Sequence, residues 1–387
     1  WTAPSGSFAF GSEIKQFTVL PEWKAVLNYS RAQDYLESGT TDHTSETMFH
    51  GVSQLKGGHY IRIPLKHPKD IQPKQWFYLQ EQKFSGSYQC ASDEFSKLFK
   101  DSVSIHLRAD VDVGSCLSGG LDSSSIVCQM NKILYHENYS YRQQTFSACS
   151  EILEADERFY IDKVIEHVDV DPHYVYPDIS DLLKVMPKII WHQDEPFGSS
   201  SIFAQWCVFQ KAHQLGIKVM LDGQGADEYL LGYHSFFNVH QSDIFKNLFF
   251  IDWILDRRSM KKKGYPVRPL QYFIKQNIPH SIKILLKHFL GRPSELSHQE
   301  YTSVEAYSRD LILKMSLPML LRFEDRNSMA HHIEARVPFL DYRLVEFIIS
   351  LPSKYKIHNS YTKYILRKSM DNIIPQKIQW RVGKLGF

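Results

Sequence analysis

Residues 111–124, VDVGSCLSGGLDSS, constrain the fold more than any other stretch of the chain. Val111, Val113 and Leu117 alternate with small or polar residues, which predicts a buried strand. Gly119 and Gly120 then permit a sharp turn and a close backbone approach to a ligand. Ser123 and Ser124 stand where they can cap a helix running through Ile126, Val127, Met130 and Leu134. A strand, a glycine turn and a helix start aim unpaired N–H groups and the positive helix end at an anion. Phosphate or pyrophosphate is the natural guest. No GK[ST] follows at the Walker spacing and no GxGxxG is present, so the two commonest nucleotide loops are excluded.

The chain around this loop alternates helix and strand. Phe95, Leu98, Phe99, Val103 and Leu107 predict a helix before the loop strand. Strands are expected at residues 145–149, 173–176 and 217–221, separated by helices through Ile161 and Val164, up to Trp191, and through Ile202, Trp206 and Phe209. This order predicts an α/β fold with a doubly wound parallel sheet, whose ligands sit beyond the carboxyl ends of the strands. There the sequence reads Asp222, Gly223, Gln224, Gly225, Ala226, Asp227, Glu228. A lone Asp-Gly pair is usually a solvated turn. Alternate glycines and two acids directly after a buried strand fit a ligand loop better, and Asp122 and Asp227 could meet around Mg²⁺.

Composition narrows the function classes. The 387 residues are 43% hydrophobic and 23% charged, enough for two ordinary domains with a core. A net charge of +2 gives no reason to expect bulk nucleic-acid or membrane binding. Cys90, Cys116, Cys128, Cys149 and Cys207 are scattered and odd in number, which suits reduced cytoplasmic thiols without a zinc site. No apolar run reaches membrane-spanning length and no signal peptide is visible. The chain opens on Trp1 and stops at Gly386-Phe387, so truncation at both ends is expected.

SGGLDSS resembles the pyrophosphate loop of the ATP-pyrophosphatase enzymes, the adenine nucleotide alpha hydrolase-like fold. Further segments are similar to the asparagine synthetases of the glutamine-hydrolysing, class B type. They are the LDGQGADE run, the DEP segment at residues 194–196, LPMLLRFEDRNSMA at 317–330, IEARVPFLD at 333–341, YTKYILR at 361–367, and an RxKxGF-like ending at 381–387. FGSEIKQF and GGHYIRI near the start look like closing segments of that family's glutaminase domain. The family's glutaminase nucleophile is an N-terminal cysteine, whereas this chain has Trp1 there and its first cysteine is Cys90. The resemblance therefore implies residues 1–80 as a small β-rich glutaminase remnant plus a linker near 66–82. Residues 81–387 are then the synthetase domain, with a helical C-terminal part closing over the nucleotide.

The resemblance implies ATP and Mg²⁺ as cofactors. Nucleotide contacts fall on Leu117, Ala148, Asp222 and Gly223, pyrophosphate on Ser118, Gly119, Gly120, Asp122 and Ser123, and metal on Asp122 and Asp227. Lys363 and Gln224 take the catalytic positions. Two departures stand out: Asp222 replaces a family serine, and Gln224 replaces a family glutamate linked to acyl-adenylate formation. Glutamine can orient groups but cannot take a proton. The implied reaction is amidation of a small carboxylate, aspartate first, through an acyl-AMP, with nitrogen from ammonia or glutamine. Homodimerisation stays open. Three rivals remain: another amide former (β-lactam, lasso-peptide or surface-sugar type), a tRNA-modifying pyrophosphatase, and a nucleotide-binding module without turnover. The basic run at residues 257–263 reads as a solvated loop, Ser199 to Ser201 as helix caps, and His331-His332 as structural.

Overall fold

The computed structural model describes residues 1–64, 71–80, 82–137, 141–152, 154, 156–246, 250–265, 301 and 303–383. The N-terminal segment holds a 3₁₀ turn at Ile14–Val19 and helix α1, Tyr29–Ser38, capped by the Asn28 side chain and closed by Gly39 at φ +70°. Strand β1, His59–Tyr60, pairs antiparallel with β2, Lys74–Gln75. The resemblance implies a more β-rich segment than the described residues show. Beyond this two-residue ribbon, isolated bridges such as Leu27 to Phe49 make up its β structure.

Helix α2, Tyr88–His106, starts on the Ser87 side-chain cap and buries Phe95, Phe99 and Val103 at helical spacing. Strand β3, Val113–Cys116, feeds helix α3, Leu121–His136. Then follow β4, Gln143–Ala148; α4, Arg158–Ile165; β5, Val170–Val175; α5, Ile179–Gln193; α6, Ser201–Gln214; and β6, Val219–Leu221. A short α7, Ala226–Tyr229, leads to α8, Ser235–Lys246, and α9, Phe250–Lys262. After residue 300 come α10, Val304–Asp310; a π-helical turn, Leu311–Met315; and α11, Leu317–Ala330. Strand β7, Glu334–Arg336, precedes α12, Tyr342–Ser350; α13, Ser353–Lys356; α14, Tyr364–Ser369; and α15, Gln376–Gln379.

The sheet is five-stranded and parallel in the order β5-β4-β3-β6-β7. From the central β3 the chain lays β4 and β5 on one side, then returns to place β6 on the other. The order of connection therefore reverses between β3 and β6, the position where open α/β sheets bind ligands. Its faces are covered separately. Val219 and Leu221 pack with α2, α3 and the C-terminal helices, while Met220 packs with Phe146, Phe209 and Ala212 of the opposite layer. The fold class agrees with the sequence expectation. Strand β7 does not appear in that expectation, because Glu334-Ala335-Arg336 is too short and too charged to show alternation. It is fixed by register against β6 instead.

Candidate active site

The two loops that flank the switch point touch. A Cβ added to Gly223 would lie 3.2 Å from both Asp122 Cβ and Ser123 N, so the β6 loop packs closely against the β3 loop at this glycine. Gly119 adopts φ +68°, and a Cβ there would stand 2.8 Å from Tyr160 Cβ. Ser123 does not cap α3, whose N-cap is Gly120. Its hydroxyl instead accepts from Ser118 N at 3.2 Å and meets Ser118 Oγ at 3.1 Å, tying the loop across its mouth. Leu117 is buried, and its N–H donates to Phe146 O, which places Ala148 two residues further along the neighbouring strand.

Lys363 joins the two loops. Its Nζ lies 2.5 Å from Asp122 Oδ2 and 2.6 Å from Asp227 Oδ1, and the residue is 5% exposed. Burial alone would push the ammonium down, but the two carboxylates outweigh it and hold it above the ordinary lysine value. Lys363 sits at φ +53°, left-handed for a residue with a side chain. A Cβ on Gly232 would overlap Asp227 Oδ1 and Lys363 Cε, so this cluster is packed around a bare backbone. Asp122 keeps Oδ1 buried and without a hydrogen-bond partner among the described residues. Two carboxylates, one with a free oxygen, fit a hard cation completed by phosphate oxygens; no group of three acidic, histidine or cysteine ligands exists among the described residues.

The remaining expected positions divide. Asp222 and Gly223 lie on the β6 loop, where Asp222 Oδ1 accepts from Gly223 N at 2.5 Å. Gln224 rides the same turn, but its side chain makes no hydrogen bond among the described residues and does not join Lys363. Sequence reasoning did not assign Arg381 to the loop. Its guanidinium donates to Gly119 O at 3.0 Å, pairs with the buried Glu157 and stacks 3.6 Å over the Tyr160 ring. The signal was its place at the head of the RxKxGF-like ending, of which residues 384–387 lie outside the described residues.

Three further expectations change or gain detail. Asp194 and Glu195 hold the N-terminal segment. Asp194 accepts from Ile14 N, Lys15 N and Lys15 Nζ, and Glu195 Oε1 accepts from Met48 N at 2.7 Å. Arg322 completes this clamp against Asp42 at 3.1 Å and Thr41. The basic run is solvated as expected, with Arg257, Arg258, Lys261 and Lys262 exposed, but it is helix rather than loop: residues 257–262 are in α9, and Lys263 Nζ lies 3.0 Å from the Tyr361 ring centroid. His331 is buried against Trp206, with ring centroids 4.4 Å apart, and burial first, then neighbouring histidines, pushes it down to about 4. The stretch from about Phe236 to Ser297 reads from sequence as an insertion, and its residues 266–297 lie outside the described residues.

Among the described residues no helix is long and apolar enough to cross a membrane. Residues 94–387 match the family described as asparagine synthase. Among curated relatives, asparagine synthetase [glutamine-hydrolyzing] 1 of Bacillus subtilis is 27% identical, over 83% of this chain and 55% of its own length. Its counterpart numbered 3 is 26% identical, over 98% and 61%. Amidase chyE of Penicillium rubens is 24% identical, over 100% and 65%. The chain thus spans little more than half of the first two relatives. Among solved structures it is similar to the U34-tRNA thiolase NcsA of Methanococcus maripaludis, at 15% identity, over 70% of this chain and 89% of that one, with a TM-score of 0.29. With its family match covering most of its length and its glycine loops meeting at the switch point of a parallel sheet, the chain belongs to the asparagine synthase family.

Proposed function

We propose that the chain activates a small carboxylic acid as an acyl-AMP and passes the acyl group to nitrogen, with aspartate the first-choice acid and asparagine the product. The observation that carries this reading is the Lys363 ammonium held between Asp122 and Asp227 where the β3 and β6 loops meet. A carboxylate is inert to ammonia at neutral pH and needs a leaving group. Its oxygen attacks the α-phosphorus of ATP, forming the acyl-phosphate bond and breaking the α–β bridge. Backbone N–H groups and hydroxyls of Ser118, Gly119, Gly120 and Ser123 hold the departing pyrophosphate at the head of α3. Lys363 offsets its charge as a compact cation. Asp122 and Asp227 would hold Mg²⁺, which supplies charge neutralisation on the phosphates. Leu117, Ala148, Asp222 and Gly223 border the nucleotide. Nitrogen then attacks the acyl carbon and AMP leaves.

In this reading residues 1–80 are the end of a glutaminase domain with its linker, and residues 81–387 the synthetase domain. The clamp from Asp194, Glu195 and Arg322 onto residues 14–15 and 41–48 supports it, because it docks the N-terminal segment on the catalytic layer. Glutamine would then supply nitrogen within a longer, cytoplasmic protein. A second acid is the alternative substrate, favoured by Asp222 and Gln224 and by relatives named amidases. The test is pyrophosphate release from ATP and Mg²⁺ with ammonium, across a panel of carboxylic acids. Release with aspartate, accompanied by AMP and asparagine, is the expected result. Release with another acid alone replaces the substrate, and release with none from folded protein overturns the reading.

A further inference from the structure

One buried carboxyl near the site has no assigned task. Glu324 lies in the middle of α11, is 2% exposed, and neither carboxyl oxygen has a hydrogen-bond partner among the described residues. Its surroundings make this hard to dismiss as a satisfied core residue. Gln193 Nε2 donates to Phe323 O and to Asn327 Oδ1, and Asn327 Nδ2 donates to Ile202 O and Gln205 Oε1, so the amides that join α11 to its neighbours do not serve Glu324. The two arginines nearest in sequence turn elsewhere. Arg322 goes to Asp42, Thr41 and Gln193 O, and Arg326 to Ser12 O and Asp325. Leucine, methionine or alanine would fill a helix position at far lower cost than a carboxyl stripped of water and partners.

The charged and titratable groups that act on Glu324 are Asp222, on the β6 nucleotide loop, and Asp325 on its own helix; the Cys116 thiol at the end of β3 senses both Glu324 and Asp222. Asp222 is already served, by the Gly223 N–H and by the Cys116 thiol. Burial, then the charge of Asp222, raises the proton affinity of Glu324 well above the ordinary carboxylate range. A carboxyl whose proton affinity is raised holds an accepted proton more firmly than an exposed one does. Gln224, which replaces a glutamate on the neighbouring loop, offers no such capacity.

We infer that Glu324 is the proton acceptor for the nitrogen nucleophile, its two unpartnered oxygens receiving the N–H groups of ammonia as it enters beside the β6 loop. The inference rests on the acyl-adenylate reading above. The nitrogen lone pair forms the C–N bond to the acyl carbon, the acyl C–O bond to AMP breaks, and its electron pair leaves on the AMP phosphate. One N–H proton passes to the Glu324 carboxylate, which returns it to solvent when the amide departs.

The test compares the full chain with Glu324→Gln and Glu324→Asp by three measurements: ATP–pyrophosphate exchange with the active acid, amide formation from ammonium, and thermal unfolding. Glu324→Gln is expected to keep exchange within about threefold while amide formation falls by about a hundredfold or more, the usual weight of a general base. Glu324→Asp recovers part of the amide step. The melting temperature of Glu324→Gln stays level or rises, because the amide is cheaper to bury than an unpartnered carboxyl. Equal loss of exchange and amide formation, an unaffected amide step, or a lowered melting temperature in Glu324→Gln overturns the inference. Wild-type protein that exchanges with no acid overturns the acyl-adenylate reading instead. The thermal comparison needs no turnover: a fall still marks Glu324 as structural, and a level or higher value still marks a carboxyl retained for a ligand.

Discussion

Replacing Lys363 by Met tests whether the ammonium is what allows two carboxylates to share the junction of the loops. The side chain has similar length and loses only the charge and its two short hydrogen bonds, at 2.5 and 2.6 Å. Asp122 is 4% exposed, so in the variant it becomes a buried charge without a partner. Breaking a buried pair in this way costs about 3–5 kcal/mol, and the lower end applies because the Asp227 side chain is partly solvated. With about 2 cal/mol/K of unfolding entropy per residue, a loss of about 3 kcal/mol in a chain of 387 residues lowers Tm by about 4 °C. Scanning calorimetry at neutral pH measures this. Excess Mg²⁺ should restore part of the loss in the variant and change the wild type little, because the bare carboxylates can then bind the cation. Adding Asp122→Asn should cost nothing further, since it removes the unpartnered charge. Pyrophosphate release should fall by about a hundredfold or more, as for loss of one preorganised charge donor. An unchanged Tm, together with additive effects in the double variant, would refute the account of Lys363 as the link between the loops.

Other perturbations test separate parts of the structure. Gly119→Ala forces a side chain into φ +68° and against Tyr160, so a loss of about 2–4 kcal/mol and weaker ATP binding are expected by denaturant titration and calorimetry. Arg322→Ala unpairs the buried Asp42 and loosens the N-terminal clamp, and limited proteolysis should cut within residues 1–60 faster while the strands of the parallel sheet stay protected. Lys356 is buried, with one hydrogen bond among the described residues, to Ile348 O, and burial pushes its ammonium down to about 8. The unfolded chain therefore binds the proton more tightly. Below pH 8 the buried ammonium costs about 3 kcal/mol, and the cost is relieved as pH rises from 8 towards 10.5. Lys356→Met should raise Tm at pH 7 and flatten that pH dependence.

Much of this was legible in residue order. The β3–α3 turn could be read because glycine, β-branched strand residues and a helix pattern must coincide there, and the strand-end rule brought Asp122 and Asp227 to one place, where both meet Lys363. Ser123 was misplaced as a cap, since the helix begins at Leu121 and a sequence does not show where the first turn closes. Arg381 and Glu324 were hidden for a different reason. What matters is their tertiary partner, Gly119 O in one case and the lack of a partner among the described residues in the other, and neither appears in local spacing. The DEP segment shows in sequence only as a family motif, because the segment its acids bind lies well over a hundred residues away in sequence. Lys263, at the end of the basic run, meets Tyr361, a contact that local spacing also does not show.

The central claim is that the carboxylate oxygen attacks the α-phosphorus of ATP at the junction of the β3 and β6 loops. The direct measurement is turnover of the active acid labelled with ¹⁸O in its carboxylate, with Mg²⁺ and ammonium, followed by mass analysis of the nucleotide product. The account predicts AMP carrying one ¹⁸O on its phosphate, pyrophosphate without label, and loss of both in Lys363→Met. Labelled inorganic phosphate with ADP, or AMP without ¹⁸O, would contradict it.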